Sequence, residues 1–515
     1  LDPITIDDNA QRAVGGRGVQ AALFVTVLLI AACGLVYELV AGALSSYLLG
    51  DSVTQFSTVI GTYLFAMGVG SHLSRYVTRG LAWRFVTVEL MVAIVGGYSA
   101  TALFLAFAWT DAFRLVLYAL VIAIGVLVGL EIPLLMRILR DRYAFKDVIA
   151  NVLTFDYLGA LGASLLFPIL LVPRLGMVRS ALAFGVVNAL VAAWSTHLFR
   201  DVLPRRRTLQ AVCAATLVVL GAGVAAAERI TISAEADIYA DPVIFARESR
   251  YQRIVLTAFR GDLRLFLNGH LQFSSRDEYR YHEALVHPGL AALPGARRVL
   301  VLGGGDGLAV REILRYPGVS VTLVDLDPEM THLFRTNRVL VGLNHGSLNS
   351  PRVRVINADA FVWLGSTRDM FDFVVVDFPD PSNYAVGKLY TTAFYRALQN
   401  HLSRDGLVVV QSTSPMFART AYWSIERTLA ASGLRTWPYH LYVPSFGEWG
   451  FVLAGRGDYR VPTALPSGLR FLTLSSLPPL FQFPADLQPV PAVPNRLDDQ
   501  ALVRYYGDEW KQIER

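Results

Sequence analysis

Two cysteines in 515 residues are too few for a disulfide framework. Both, Cys33 and Cys213, sit in apolar runs, which also excludes a cysteine-based metal site. Charge is scarce too. Only 17% of residues are charged and the mean hydropathy is +0.43, so an all-soluble chain is excluded, and the length exceeds one ordinary domain. The net charge of +5 is spread over short basic clusters between apolar segments, where membrane topology accounts for it, and no nucleic-acid partner is expected. A phosphate-cradling loop is missing as well. The glycine run at 303–307 does not read G-x-G-x-x-G, and no Gly-Lys-Ser/Thr follows it. There is no internal repeat.

What the chain does have, first, is apolar length. After a polar leader at 1–18, runs long enough to span a bilayer occur at 19–49, 53–73, 84–108, 112–139, 148–172, 176–199 and 208–227, so seven helices are expected within a membrane domain over 19–229. Lys and Arg favour the leader and alternate loops, which puts the N-terminus in the cytoplasm and, after seven spans, the rest of the chain on the far side. Glu38, Glu131 and Asp156 lie inside these spans, with Glu89 nearer an end, and each is costly in hydrocarbon unless paired or wetted. Two readings stand: a polar cavity for a cation, or carboxylates protonated and hydrogen-bonded between helices. Pro133 predicts a local break beside Glu131.

From about residue 230 the composition becomes that of a soluble α/β domain. Residues 251–258 and 263–268 read as a hairpin through Arg260-Gly261-Asp262, within a region 230–292. Residues 299–307 read VLVLGGGDG, a buried strand turning into a helix start. There Gly303, Gly304, Gly305 and Gly307 let backbone approach a ligand, while the carboxylate of Asp306 suits a cationic one; the alternative is that Asp306 only caps the helix. Strands at 319–325, 353–356, 373–377 and 407–411, with helices from Pro328 and over 390–402, predict a doubly wound Rossmann-like sheet over 293–456. Asp306, Asp325, Asp359 and Asp377 recur at strand ends, where such folds bind ligands. The tail 457–515 is proline-rich, ending in a short polar helix near 502–513, and reads as a strap or a partly disordered segment.

These features together resemble the spermidine synthase family of aminopropyltransferases over roughly 251–454. The resemblance rests on Tyr251-Gln252, Asn268-Gly269 with Gln272, Tyr281-His282-Glu283, the glycine loop followed by Arg311-Glu312, then Asp325, Asp359, Asp377 with Asp380-Pro381, and residues 444–451. The apolar part looks like the spans attached to one branch of that family, with Tyr37-Glu38 and Asp156-Tyr157-Leu158-Gly159. The resemblance implies transfer of the aminopropyl group of decarboxylated S-adenosylmethionine to an amine such as putrescine. It places Asp377 as general base and Asp380 on the amine, with Tyr281, His282, Gln252 and Phe446 also on the amine side. It places Asp306 on the donor's ammonium, Asp325 on ribose and Asp359 on the adenine amino group, with Gln272 nearby. It implies neither a metal nor a permanently bound cofactor, and a homo-oligomer is expected.

Departures from the family pattern keep the donor set of residues and bear mainly on the acceptor amine. The ribose acid is Asp325 where Glu is usual, Leu267-Asn268-Gly269 stands for Leu-Asp-Gly, Asp377-Phe378-Pro379-Asp380 for Asp-Ser-Ser-Asp, and Phe446 for a tyrosine. The competing readings are a methyltransferase on the same fold, which Asp306 and the Asp377/Asp380 pair oppose, and a polyamine transporter or sensor that binds without turnover, or synthesis joined to export. Localisation is expected at the cell membrane, multi-pass. The charge rule puts the soluble part outside and the donor's cytoplasmic origin puts it inside.

Overall fold

The computed structural model describes residues 17–49, 52–110, 112–140, 145–200 and 202–511. Of the leader expected at 1–18, residues 1–16 lie outside them. The chain divides into two units, Leu1–Ala240 and Asp241–Arg515, further along than the expected 229/230 because the last helix of the first unit runs to Ile238.

The first unit is helical: α1 (Arg17–Leu49), α2 (Ser52–Leu73), α3 (Leu81–Gly97), α4 (Ser99–Trp109), α5 (Phe113–Arg140), α6 (Phe145–Leu166), α7 (Val172–Leu198) and α8 (Arg206–Ile238). Five stretches among the described residues are long and apolar enough to cross a membrane, rather than the seven expected: Ala22–Ser46, Leu81–Phe107, Phe113–Leu139, Val148–Leu198 and Arg206–Ala227. The second expected run drops out because Thr54, Gln55, Ser57, Thr58, Thr62 and Ser71 dilute α2. The runs at 148–172 and 176–199 merge through a π-helical turn at Phe167–Leu171, and the helical backbone is broken only at Gly176 (φ 73, ψ 174). The break expected at Pro133 is not there, since α5 continues through it.

Small residues let these helices pack closely. Chief neighbours are α2 with α5, α1 with α6, α3 with α7 and α7 with α8. A Cβ built on Gly129 would lie 2.2 Å from the Met67 carbonyl oxygen, so α2 and α5 meet backbone to side.

In the second unit, β1 (Val243–Glu248), β2 (Arg253–Phe259), β3 (Asp262–Leu267) and β4 (His270–Ser274) form an antiparallel sheet in that order. The expected hairpin is its middle pair. A sequence signal for β4 was Asn268-Gly269, whose positive φ values of 50 and 82 make the tight turn that this dipeptide favours. After α9 (Glu278–Leu290) come β5 (Arg298–Gly303), α10 (Leu308–Ile313), β6 (Ser320–Asp325), α11 (Pro328–Thr336), α12 (Arg338–Leu343), β7 (Val353–Asn357), α13 (Ala360–Ser366) and β8 (Phe371–Asp377). Then follow α14 (Tyr384–Gly387), α15 (Thr392–Gln399), β9 (Leu402–Gln411), α16 (Arg419–Ala431), β10 (Arg435–Val443), β11 (Gly447–Gly455) and α17 (Ala501–Trp510). The helix expected at 390–402 is thus shorter, and β10 was masked by Pro438, which a strand tolerates at a sheet edge.

The large sheet runs β10-β11-β9-β8-β5-β6-β7, with β5 to β9 parallel and β11 and β10 antiparallel. Val299 to Leu302 and Val374 to Val376 are fully buried, which is why those strands read as unbroken apolar runs. Strand order reverses between β5 and β8, and a crevice at that switch point is where open α/β sheets take ligands.

Gly129→Ala is expected to lower the melting temperature of the full chain in detergent, by an overpacking cost of about 1–3 kcal/mol, because the new methyl meets fixed backbone. An unchanged thermal transition would show that α2 and α5 can separate freely.

Candidate active site

Register alone places Gly303, at the end of β5, opposite Asp377, at the end of β8. The loop between β5 and α10 passes so close to its neighbours that only glycine fits: a Cβ on Gly303 would lie 2.2 Å from the Asp377 carbonyl oxygen, and one on Gly305 2.7 Å from Asp325 Oδ2. Gly303, Gly304 and Gly307 also take φ values of 80, 64 and 75, which side chains disfavour. The loop is therefore wedged between two strand-end carboxylates.

Each carboxylate is held mainly by neutral donors. The Tyr281 hydroxyl of α9 donates to Asp377 Oδ1 at 2.6 Å, and burial pushes the Asp377 carboxyl up to about 6, with His282 opposing and Asp306 adding to the shift. Asp325 accepts from the backbone of Gly305 at 3.0 Å and of Asp327 at 2.8 Å, and burial pushes it up to about 7. Asp306 precedes Gly307, which holds the N-cap position of α10; it accepts from the Leu308 amide at 2.8 Å, and burial raises its carboxyl against the pull of His282. Asp380 receives Gln411 Nε2 at 3.0 Å, Thr413 Oγ1 at 3.1 Å and the Tyr506 hydroxyl at 3.1 Å, and burial again raises it. Asp359 differs: against the push of burial, Lys388 at 2.7 Å and the amides of Phe361 and Val362 hold it below the usual carboxylate range.

A buried network backs this group. Glu278 takes both terminal nitrogens of Arg311 at 2.9 Å each and lies 2.9 Å from His282 Nδ1; although burial pushes the imidazole down, Glu278 holds it above its ordinary value. Arg311 also reaches Glu312, which His287 and Arg315 contact in turn. Beside Asp377, Tyr281 packs against Phe451 and Phe446, with ring centroids 5.2 and 6.1 Å apart.

Most of the residues expected from sequence thus converge: Gly303 to Gly307, Asp325 and Asp377 are in contact, and Tyr281, His282 and Phe446 border them. Two fall differently. Gln272 spends its amide on the carbonyl of His270 in its own strand, at 3.1 Å, and no hydrogen bond among the described residues brings it to the loop. Gln252, expected on the amine side, donates to Asp327 Oδ2 at 2.9 Å, in the turn that follows Asp325. Sequence reasoning missed Gln411, Thr413 and Tyr506. Gln411 ends a strand and falls under the strand-end rule already applied to the aspartates. Tyr506 lay in a tail whose path had no local signal.

That tail is a strap. Residues 456–499 cross the surface with short turns at Pro478–Phe481 and Ala485–Leu487, pinned where the amides of Arg470, Phe471 and Leu472 donate to buried Glu283 at 2.7, 2.9 and 2.9 Å. Further on, Asn495 bonds the carbonyls of Gly387 and Tyr390, and α17 then delivers Tyr506 to Asp380.

A doubly wound sheet in this order, with a glycine loop at its switch point, defines a Rossmann-like domain of the methyltransferase type, here preceded by a helical unit. Residues 278–460 match the family described as "Spermine/spermidine synthase domain". The chain is 55% identical over 523 residues to polyamine aminopropyltransferase 1 of Ralstonia nicotianae, covering 100% of this chain and 99% of that one. It is 52% identical to the polyamine aminopropyltransferase of Leptospira interrogans, over 96% of this chain and 100% of that one, and 45% identical to polyamine aminopropyltransferase 1 of Streptomyces coelicolor, over 96% of each. The chain belongs to the polyamine aminopropyltransferase family.

Glu283→Ala would leave the buried amide of Leu472 and the part-buried amides of Arg470 and Phe471 without their acceptor, at about 1–3 kcal/mol for a buried group left unsatisfied. Limited proteolysis is expected to cut the strap near residue 470 in this variant while leaving the wild type intact there. Equal resistance in both would mean that Glu283 does not anchor the strap.

Proposed function

We propose that the chain transfers the aminopropyl group of decarboxylated S-adenosylmethionine to an amine such as putrescine, giving spermidine and methylthioadenosine. The observation that carries this reading is Asp377, a half-buried carboxylate raised to about 6, facing the glycine loop from the end of β8. It is ionised at neutral pH yet basic enough to take a proton.

In this reading the amine nitrogen attacks the carbon next to the sulfonium, the C–S bond breaks, and the electron pair leaves on a neutral thioether. The proton lost by the amine passes to Asp377, whose Oδ1 the Tyr281 hydroxyl keeps oriented. Asp380 holds the amine's remote ammonium, and Phe446 and Tyr281 wall its methylene chain. Asp306 takes the donor's aminopropyl ammonium and repels the carboxylate of intact S-adenosylmethionine; like-charge juxtaposition of that kind costs several kcal/mol. Asp325 takes the ribose hydroxyls, steadied by the Asp327 turn that Gln252 supports, and Asp359 takes the adenine amino group in exchange with Lys388. His282 supplies positive potential to Asp306 and Asp377. Gln272 is left without a role.

We further propose that the helical unit lies in a bilayer. Its outward side chains support this: Phe65, Leu115, Ile169 and Val218 are 71%, 74%, 72% and 71% exposed in the isolated chain, a surface that water would not tolerate. The 51-residue stretch Val148–Leu198 would run roughly 75 Å as one helix, more than twice a bilayer core of about 30 Å, and Gly176 divides it.

Asp377→Asn should retain donor binding but lose on the order of 10²-fold or more in turnover. In the wild type, the proton on Asp377 blocks the base below its pKa, so kcat/KM for the amine should climb as pH rises through about 6 and then level. A rate indifferent to pH on the acid side of neutrality would remove Asp377 from the mechanism.

Tyr506→Phe removes one of three donors to Asp380. Steady-state kinetics should show KM for the amine raised about tenfold, with kcat and the donor KM nearly unchanged, the size expected for one hydrogen bond to a charged group. A change in the donor KM instead would assign Tyr506 to the other half of the site.

A further inference from the structure

The helical unit contains a second set of acids that the proposed transfer does not use. Glu89 of α3 and Glu131 of α5 are 0% and 1% exposed, and Glu38 of α1 is 9% exposed. Asn188 of α7 donates to Glu89 Oε2 at 2.9 Å, and its own oxygen accepts from the Tyr37 hydroxyl at 3.3 Å. The other oxygen of Glu89 and both oxygens of Glu131 have no hydrogen-bond partner among the described residues. These groups lie together. Glu131 interacts electrostatically with Glu89 and with Asp156 of α6, Cys33 and Tyr37 interact with both glutamates, and Tyr63 of α2 interacts with Glu38 and Glu131. Of the acids expected from sequence to converge, Glu131 and Asp156 are in mutual reach; Tyr37 was singled out beside Glu38, while the residues missed were Glu89's partner Asn188 and Tyr63.

A buried carboxylate without donors is among the costliest arrangements a protein can hold. Protonation removes the charge but still leaves carboxyl oxygens of the pair without a donor among the described residues. A cation with several N–H groups removes both costs at once. The three unpartnered carboxylate oxygens match the three N–H groups of a primary ammonium. No group of three metal-ligating side chains is placed to hold a metal ion among the described residues.

We propose that Glu89 and Glu131, with Asn188 orienting Glu89 through its amide, form a binding site inside the helical unit for a primary alkylammonium ion, of the diamine or polyamine class. Tyr37 and Tyr63 flank the site, and Asp156 and Glu38 add negative potential. The site gives the unit a means of holding amine apart from the Asp377 centre. It depends only on burial among the helices and stands whether or not they lie in lipid.

The test is equilibrium dialysis of radiolabelled putrescine against the full chain in detergent, with transferase turnover measured on the same samples. Glu131→Gln should bind one putrescine fewer per chain than the wild type, with kcat and KM for transfer unchanged. Asn188→Ala, a milder change, should weaken the same site about tenfold, the effect of one hydrogen bond to a charged group. Equal stoichiometry and affinity in wild type and both variants would overturn the proposal, as would a pocket that accepts only protons and never labelled amine. If Glu131→Gln proves unstable, Asn188→Ala decides alone. Absence of turnover in the wild type counts against the transferase reading, while the one-site difference still decides this one.

Discussion

The second unit is arranged around a single electrostatic problem: Asp306, Asp325, Asp377 and Asp380 stand at the ends of neighbouring strands and turns, Asp306 buried and the other three half-buried. Their partners are amides, hydroxyls and a carboxamide, and the His282 imidazole pulls on Asp306 and Asp377. Neutral donors hold the oxygens in place without cancelling their charge, so the site stays short of cations. The Glu278, Arg311 and Glu312 network keeps the strong ion pairs one layer back, where they fix α9 and α10 without neutralising the aspartates. The glycine loop is a consequence of the same crowding, since a methyl at Gly303 or Gly305 would land on the strand-end aspartates.

The parallel strands were legible because each is buried on both faces and reads as a continuous run of Val and Leu, and the aspartates were legible because they follow those runs directly. What stayed hidden depended on long-range pairing. β10 carries Pro438 and is a strand only because it lies at the edge beside β11. Tyr506 is more than a hundred residues from Asp380, and nothing local to either forecasts their contact. In the helical unit, composition showed apolar length well but not where helices end. Pro133 looked like a break and is not one, while Gly176, a single residue with a left-handed φ, interrupts an otherwise continuous 51-residue stretch.

The two units share one chemical theme. Both bury carboxylates beside tyrosine hydroxyls and a carboxamide: Asp377 and Asp380 with Tyr281, Tyr506 and Gln411 in one, Glu89 with Asn188 and Tyr37 in the other. The difference lies in satisfaction. Asp377 and Asp380 each receive at least one donor, whereas Glu131 has none among the described residues, which makes it the more demanding group to accommodate.

Thr413 bears on how this protein can change. It sits at the end of β9 with φ 58, a conformation that a β-branched residue adopts only under constraint, and its hydroxyl and backbone tie Asp380, Gln411 and Gly450 together. Glycine would relax that backbone and asparagine would tolerate it, yet neither supplies the hydroxyl that Asp380 accepts. Selection for a sturdier fold and selection for a well-held carboxylate therefore pull this position in opposite directions, and drift toward thermal robustness would be felt first as a loosening of Asp380.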